Sequence, residues 1–216
     1  MKLCVGTRNP GKAREIRDLF RGLPFVLAFP EDLLLARSAQ EEDLEQGATF
    51  VENAVAKARH FARVTGLPTV ADDSGLEVDA LAGAPGPLSA RFARMAGRSG
   101  PDPDESNNHL LLERLTGVPT ERRTARYRCV VAYMDRPQAA PQLVEATCEG
   151  RILEAPLGEG GFGYDPLFWS DDLGMTMAQA PLAAKQRVSH RGRAFRALIE
   201  MLLRRQGDRL PVGADE

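Results

Sequence analysis

The stretch KLCVGTRNPGKAREIRDLF, residues 2–20, decides the fold. Lys2 to Gly6 is a short apolar run of the kind carried by a strand buried on both faces. Asn9 followed by Pro10 puts an N-cap side chain in front of a proline at the first helical position, where its missing N–H costs nothing. Ile16, Leu19 and Phe20 then recur at helical spacing and supply an apolar stripe. The pattern predicts a strand that passes through a tight loop straight into a helix, the opening step of an α/β protein.

The alternation continues outward. Phe25 to Phe29 reads as a second strand, and residues 30 to 48 as an acidic loop centred on Glu41, Glu42, Asp43 and Glu45. Thr49 and Glu52 form a capping box that opens a helix to about Thr65, closed by Gly66 and Pro68. Thr69 to Asp72 is a short strand, and Gly83 to Pro87 a loop. A helix over Glu105 to Leu115 stops at Gly117. Arg126 to Met134 and Gln142 to Cys148 predict a long hairpin, hence a mixed sheet and a second lobe. Glu154 to Gly163 is rich in glycine, and Ser189 caps a last helix to about Gln206. The expected organisation is one two-lobed domain over 1–207 with a flexible C-terminal tail over 208–216.

Composition narrows the function classes. In 216 residues, 43% are hydrophobic and 27% charged, the balance of a soluble globular chain able to bury a real core. A net charge of −2 argues against a binder of polymeric nucleic acid, which needs a basic face. It leaves room for a small anionic ligand. No apolar run approaches the ~20 residues of a membrane span, and no signal peptide opens the chain. A cytoplasmic protein is expected. Cys4, Cys129 and Cys148 sit in apolar runs with no Cys-x-x-Cys pair, so they read as reduced core residues.

Four segments carry chemistry. Gly6 to Lys12 joins a strand to a helix N-terminus, whose unpaired N–H groups and dipole favour an anion. Thr7 and Asn9 add hydrogen bonds, Gly11 permits close backbone approach, and Lys12 adds a full charge. Asp72-Asp73-Ser74-Gly75 follows an apolar strand, so the two carboxylates point in different directions, with Gly75 allowing a turn. Mg²⁺ takes carboxylate and water oxygens, and Glu45 of the acidic loop could complete such a site. Gly160 to Pro166 offers Phe162 as a flat face for a base and Asp165 as an acceptor for a ring N–H. Ser189-His190-Arg191 places a histidine and an arginine fork in the first turn of the last helix, with Lys185 just upstream. His60 and His109 lack companions and read as ordinary helix residues.

Taken in order, these segments resemble the inosine triphosphate pyrophosphatase family of house-cleaning purine nucleotide pyrophosphatases. The carrying motifs are T-R-N-P-G-K-A-R-E at Thr7 to Glu15, G-A-T-F-V-E-N-A at Gly47 to Ala54 and A-D-D-S-G-L at Ala71 to Leu76. They continue with A-P-G-P-L-S-A-R at Ala84 to Arg91, G-F-G-Y-D-P at Gly161 to Pro166 and S-H-R-G-R-A at Ser189 to Ala194. Ala184 stands where the family often has an acidic residue, and Leu88 where an aromatic is common. The resemblance implies a two-lobed α/β fold with a long mixed sheet, a cleft between lobes, a homodimer and Mg²⁺. It implies hydrolysis of ITP, dITP and XTP to the monophosphate and pyrophosphate. By position, Thr7, Arg8, Asn9, Pro10, Gly11 and Lys12 would hold the triphosphate with Lys57. Glu45 and Asp73 would serve the metal, Asp73 also as general base. Ser74 would touch the substrate, while Phe162, Gly163, Tyr164, Asp165, Lys185, His190 and Arg191 would hold the base and sugar-phosphate.

Two other readings compete. Gly6 to Lys12 also fits the front of a P-loop, which would release orthophosphate, but Ala13 stands where a metal-binding hydroxyl is required. A non-catalytic nucleotide sensor would keep the phosphate grip and lose the base, yet Asp73, Glu45 and both lysines are present. Selectivity against adenine would come from donors such as Arg191 facing the 6-oxo group of a deaminated purine.

Overall fold

The computed structural model describes residues 1–207, so the expected tail over 208–216 lies outside the described residues. Seven strands form one mixed sheet in the order β2-β1-β3-β4-β5-β6-β7. β1 (Lys2–Val5) runs parallel to β2 (Val26–Ala28) and to β3 (Thr69–Val78). From β3 onward the sheet is antiparallel, through β4 (Thr124–Met134), β5 (Gln142–Ile152), β6 (Phe168–Ser170) and β7 (Met175–Thr176).

The first helix forms as its sequence dictates. α1 (Pro10–Leu19) begins at Asn9, whose Oδ1 accepts from the Lys12 amide at 2.9 Å. α2 (Phe50–Thr65) opens on the complete capping box: Thr49 Oγ1 accepts from the Glu52 amide, and Glu52 Oε2 accepts from the Thr49 amide. Ser189 Oγ accepts from the Gly192 amide at the head of α6 (His190–Gly207).

Packing follows the sheet's two faces. Ile16 and Phe20 of α1 join Phe195 and Leu198 of α6 against Leu3, Val5 and Val70 on one face. Phe50, Ala54, Ala58 and Ala62 of α2 meet Ala71, Val130 and Ala132 on the other. A separate core packs Leu111 of α4 (Pro103–Arg114) and Leu115 on Leu76, Tyr127, Ile152 and Phe168. All three cysteines are buried and unbridged, and burial pushes the Cys148 thiol up to about 11.

Three features depart from the sequence pattern. β3 is ten residues long and runs straight through Asp72 to Gly75, where a turn was expected. The cause is β4, which pairs with every residue from Thr69 to Val78 and outweighs the weak strand preference of Asp-Asp-Ser-Gly. Gly75 is required for a different reason: a Cβ there would lie 2.3 Å from Ser89 Oγ and 2.5 Å from the Gly86 carbonyl. The short elements α3 (Phe92–Met95), α5 (Leu182–Val188), β6 and β7 were not anticipated, and the acidic loop contains a 3-10 segment at Ala39–Asp43.

Candidate active site

β3 organises the site. Its alternation sends Val70 and Asp72 toward the α1/α6 face and Ala71 and Asp73 toward the α2 face. On the α2 side, Asp73 Oδ1 accepts from Lys57 Nζ at 2.9 Å and Oδ2 from Asn53 Nδ2 at 3.0 Å. The same ammonium donates to Glu45 Oε1 at 2.5 Å, and Arg91 donates to the Glu45 carbonyl. Burial lowers the Lys57 pKa, but the charges of Asp73 and Glu45 outweigh it and hold it above its ordinary value. Lys57 therefore gathers two oxygen-donor carboxylates at one point.

On the other side, Asp72 Oδ2 accepts from Lys12 Nζ at 2.9 Å, Ser74 Oγ at 3.2 Å and Arg191 Nε at 3.4 Å. Its buried Oδ1 has no hydrogen-bond partner. Burial alone would raise this carboxyl; Lys12 and Arg191 reverse that and hold it well below the usual carboxylate range. Arg191 also donates to Glu15 Oε2 at 2.6 Å and Ser74 Oγ at 2.7 Å. Lys185 Nζ meets Glu15 at 2.8 Å and Asp165 at 2.7 Å. A buried chain of alternating charge thus runs Lys185, Glu15, Arg191, Asp72, Lys12.

Lys12, Glu45, Lys57, Asp73, Ser74, Asp165, Lys185 and Arg191 face one cleft of about 360 Å³, while Asp72 and Glu15 lie behind its wall. Its walls carry Thr7, Arg8, Asn9, Lys12, Glu45, Lys57, Asp73, Ser74, Phe162, Gly163, Tyr164, Asp165, Lys185, His190 and Arg191. The structure therefore brings together nearly every residue singled out in the sequence. Pro10 and Gly11 stand behind the wall. Gly11 serves Phe162 instead of a ligand, since a Cβ there would sit 2.8 Å from the ring. Lys185 Nζ lies 5.0 Å and the Arg191 guanidinium 5.7 Å from the centroid of that same ring.

Several assigned side chains are more committed than the sequence suggested. Arg8 gives Nε and Nη2 to Glu41 at 2.5 and 2.9 Å, and Nη2 also reaches the Leu35 and Ala36 carbonyls. Three of the five N–H groups of Arg191 donate to Glu15, Asp72 and Ser74. Asp165 accepts from Lys185, from the Phe162 amide and from Tyr127 Oη. His190 is stacked on Tyr127 with ring centroids 4.7 Å apart, and its buried Nδ1 has no partner. Burial, then the nearby Arg191 and Lys185 charges, push this imidazole well below its ordinary pKa, so it is neutral at pH 7.

Sequence reading missed the bracing residues. Glu15 and Asn53 lay inside quoted motifs, but a lone helical carboxylate or amide carries no signal of what it will meet across the fold. Asn108, donating to the Gly163 carbonyl at 2.9 Å, and Asp104, accepting from the Gly163 amide at 2.7 Å, hold the glycine-rich loop from α4. Among the described residues no group of three or more His, Cys, Asp or Glu side chains converges as a metal cluster. The carboxylate pair Glu45 and Asp73 nonetheless fits Mg²⁺, which is commonly held by one or two carboxylates together with substrate phosphates and waters. The arrangement combines a cationic loop at a helix start, an oxygen-donor pair and an aromatic wall with a buried unsatisfied nitrogen. Chemically it suits a phosphate chain joined to a flat heterocycle.

Comparison with known proteins gives a concordant result. Residues 3–201 match the model of the Ham1 family. A dITP/XTP pyrophosphatase of Geobacter sulfurreducens is 48% identical over 201 residues, 93% of this chain and 96% of that protein. One from Thermus thermophilus is 46% identical over 200 residues, covering 93% and 91%. Among solved structures, a HAM1 protein from Coxiella burnetii superposes with a TM-score of 0.81 at 35% identity, over 94% of this chain and 99% of that one. The Staphylococcus aureus Ham1 protein gives 0.78 at 32% identity, over 97% and 100%.

Proposed function

This chain belongs to the Ham1 family, and on that premise we propose that it hydrolyses non-standard purine nucleoside triphosphates (ITP, dITP and XTP) to the monophosphate and pyrophosphate. The observation that carries the reading is β3: adjacent carboxylates Asp72 and Asp73 leave it on opposite faces, each meeting a lysine from a different helix at 2.9 Å. One carboxylate braces the phosphate loop while the other, fixed by Lys57 and Asn53, faces the cleft where water would attack.

The triphosphate lies along Thr7, Asn9 and Lys12, where amides and an ammonium offset its charge. Water attacks the α-phosphorus; the bond to the bridging oxygen breaks, and pyrophosphate leaves with that electron pair. Asp73 orients the water and accepts its proton. Asn53 and Lys57 fix the carboxylate so that no reorganisation is needed at the moment of reaction. Positioning and charge stabilisation are the protein's main contributions, as in phosphoryl transfer generally. Glu45 and Asp73 would hold Mg²⁺, which supplies charge neutralisation at the phosphates and a more acidic bound water.

The base stacks on Phe162, beside Lys185. The remaining N–H groups of Arg191 meet its edge. A 6-oxo group satisfies such donors; a 6-amino group leaves a buried donor unpaired, at a cost of about 1–3 kcal/mol. Ser74 reaches the substrate from the Arg191 side. The P-loop reading loses ground because Lys12 is held by the strand carboxylate Asp72. A homodimer and a cytoplasmic location complete the proposal; no helix among the described residues is long and apolar enough to cross a membrane.

The test is incubation with ITP, XTP, ATP and GTP, with and without Mg²⁺, with pyrophosphate and orthophosphate assayed separately. Mg²⁺-dependent pyrophosphate from ITP and XTP is expected. Orthophosphate from ATP, or binding of ITP without turnover, would overturn the reading.

A further inference from the structure

Arg37 is exposed and lines the cleft from the acidic segment between β2 and α2. The other lysines and arginines assigned to the site, Arg8, Lys12, Lys57, Lys185 and Arg191, already meet carboxylates. Among the described residues Arg37 has no ion-pair partner. A triphosphate brings several negative charges into this cleft. Each paired cation must share itself between phosphate and carboxylate, whereas an unpaired guanidinium has nothing to give up. Its planar fork also matches phosphate oxygens.

The segment carrying Arg37 is tied to the phosphate loop. Arg8 stands between Thr7 and Asn9, and its Nη2 donates to the carbonyls of Leu35 at 3.1 Å and Ala36 at 3.3 Å, the two residues preceding Arg37. Two further bonds to Glu41 secure the other side of Arg37. The backbone at residue 37 is therefore pinned to the loop that leads into α1. Resting on the triphosphate reading above, the geometry points to Arg37 as a further substrate-binding residue that takes the pyrophosphate end of the substrate. Arg8 is its positioning residue. In this arrangement Arg8 acts on phosphate through the segment it holds.

The experiment uses the full chain as wild type, Arg37→Ala, Arg37→Lys and Arg8→Ala. It measures KM and kcat for ITP, inhibition by inorganic pyrophosphate and inhibition by IMP. Removing the guanidinium is expected to raise both KM and the inhibition constant for pyrophosphate roughly five- to tenfold. The kcat and the inhibition by IMP stay near wild type, because the base end is untouched. Arg37→Lys keeps the charge without the fork and falls between; Arg8→Ala moves the same two constants in the same direction. Wild-type KM and pyrophosphate inhibition in Arg37→Ala overturn the proposal, whatever happens to kcat. Calorimetry with inorganic pyrophosphate reads the same contact without turnover. A wild type that binds pyrophosphate through Arg37 but releases none from ITP would sink the catalytic reading alone.

Discussion

Both oxygens of Asp73 are anchored, one by Lys57 and one by Asn53, and a base held in this way should depend on its charge more than on its shape. Asp73→Asn preserves volume and is expected to lower kcat for pyrophosphate release by about 10²–10⁴-fold, with a smaller change in KM. A variant retaining wild-type kcat would remove Asp73 from the mechanism. His190 predicts a pH effect. Its folded pKa lies below the unfolded value of 6.5 because burial and neighbouring cations oppose its charging. Below pH 6.5 the unfolded chain binds a proton there that the folded chain refuses, so stability falls as pH falls. Thermal midpoints across pH 7 to 5 should show that decline. His190→Asn should flatten it, leaving the smaller share of His60, whose pKa is lowered in the same direction chiefly by burial. An identical slope in the variant would show that His190 is not responsible.

At the scale of elements, Gly75 is the sharpest constraint. β3 passes against the Ser89 hydroxyl and Gly86 carbonyl too closely for any side chain. Gly75→Ala must displace backbone, and is expected to cost about 1–3 kcal/mol of stability, measured by denaturant unfolding. A neutral result would mean that the loop at Gly86 yields freely. The same strand shows where sequence stopped being informative. Helix starts were legible at Asn9, Thr49 and Ser189 because capping is local chemistry within three residues. The course of β3 through Asp72 and Gly75 was not, because it is imposed by the distant strand β4, with Thr69 opposite Met134, 65 residues further along the chain. The site shows the same division. Residues placed by motif reached the cleft, including Phe162, His190 and Lys57. Their partners did not declare themselves: Glu15 meets Lys185 and Arg191 only once α1, α5 and α6 have packed.

Across the whole molecule, the chain Lys185, Glu15, Arg191, Asp72, Lys12 stitches α5, α1, α6 and β3 together. Removing one member leaves its partners buried and uncompensated, so Asp72→Ala should destabilise by about 3–5 kcal/mol. Calorimetric unfolding would detect that loss, and a shift under about 1 kcal/mol would mark Asp72 as dispensable to the fold. Acid acts on the same chain. Burial would raise the Glu15 carboxyl, but Arg191 and Lys185 lower it below its ordinary 4.5, and Asp72 is lowered likewise. Depressed carboxylates give stability that is present above their unfolded pKa and lost as pH falls through the folded one. A second, steeper decline in stability is therefore expected below about pH 4.5, beyond the histidine slope.

The alternation of Asp72 and Asp73 across β3 makes the site a matter of parity. Adding or deleting a single residue between Thr69 and Ser74 while keeping the pairing with β4 would exchange the two faces. The proton acceptor would then look toward Lys12 and Arg191, and the brace toward Lys57. Changes of residue kind in this strand degrade the enzyme by degrees, but changes of residue count invert it. The six positions from Thr69 to Ser74 decide which carboxylate faces which side.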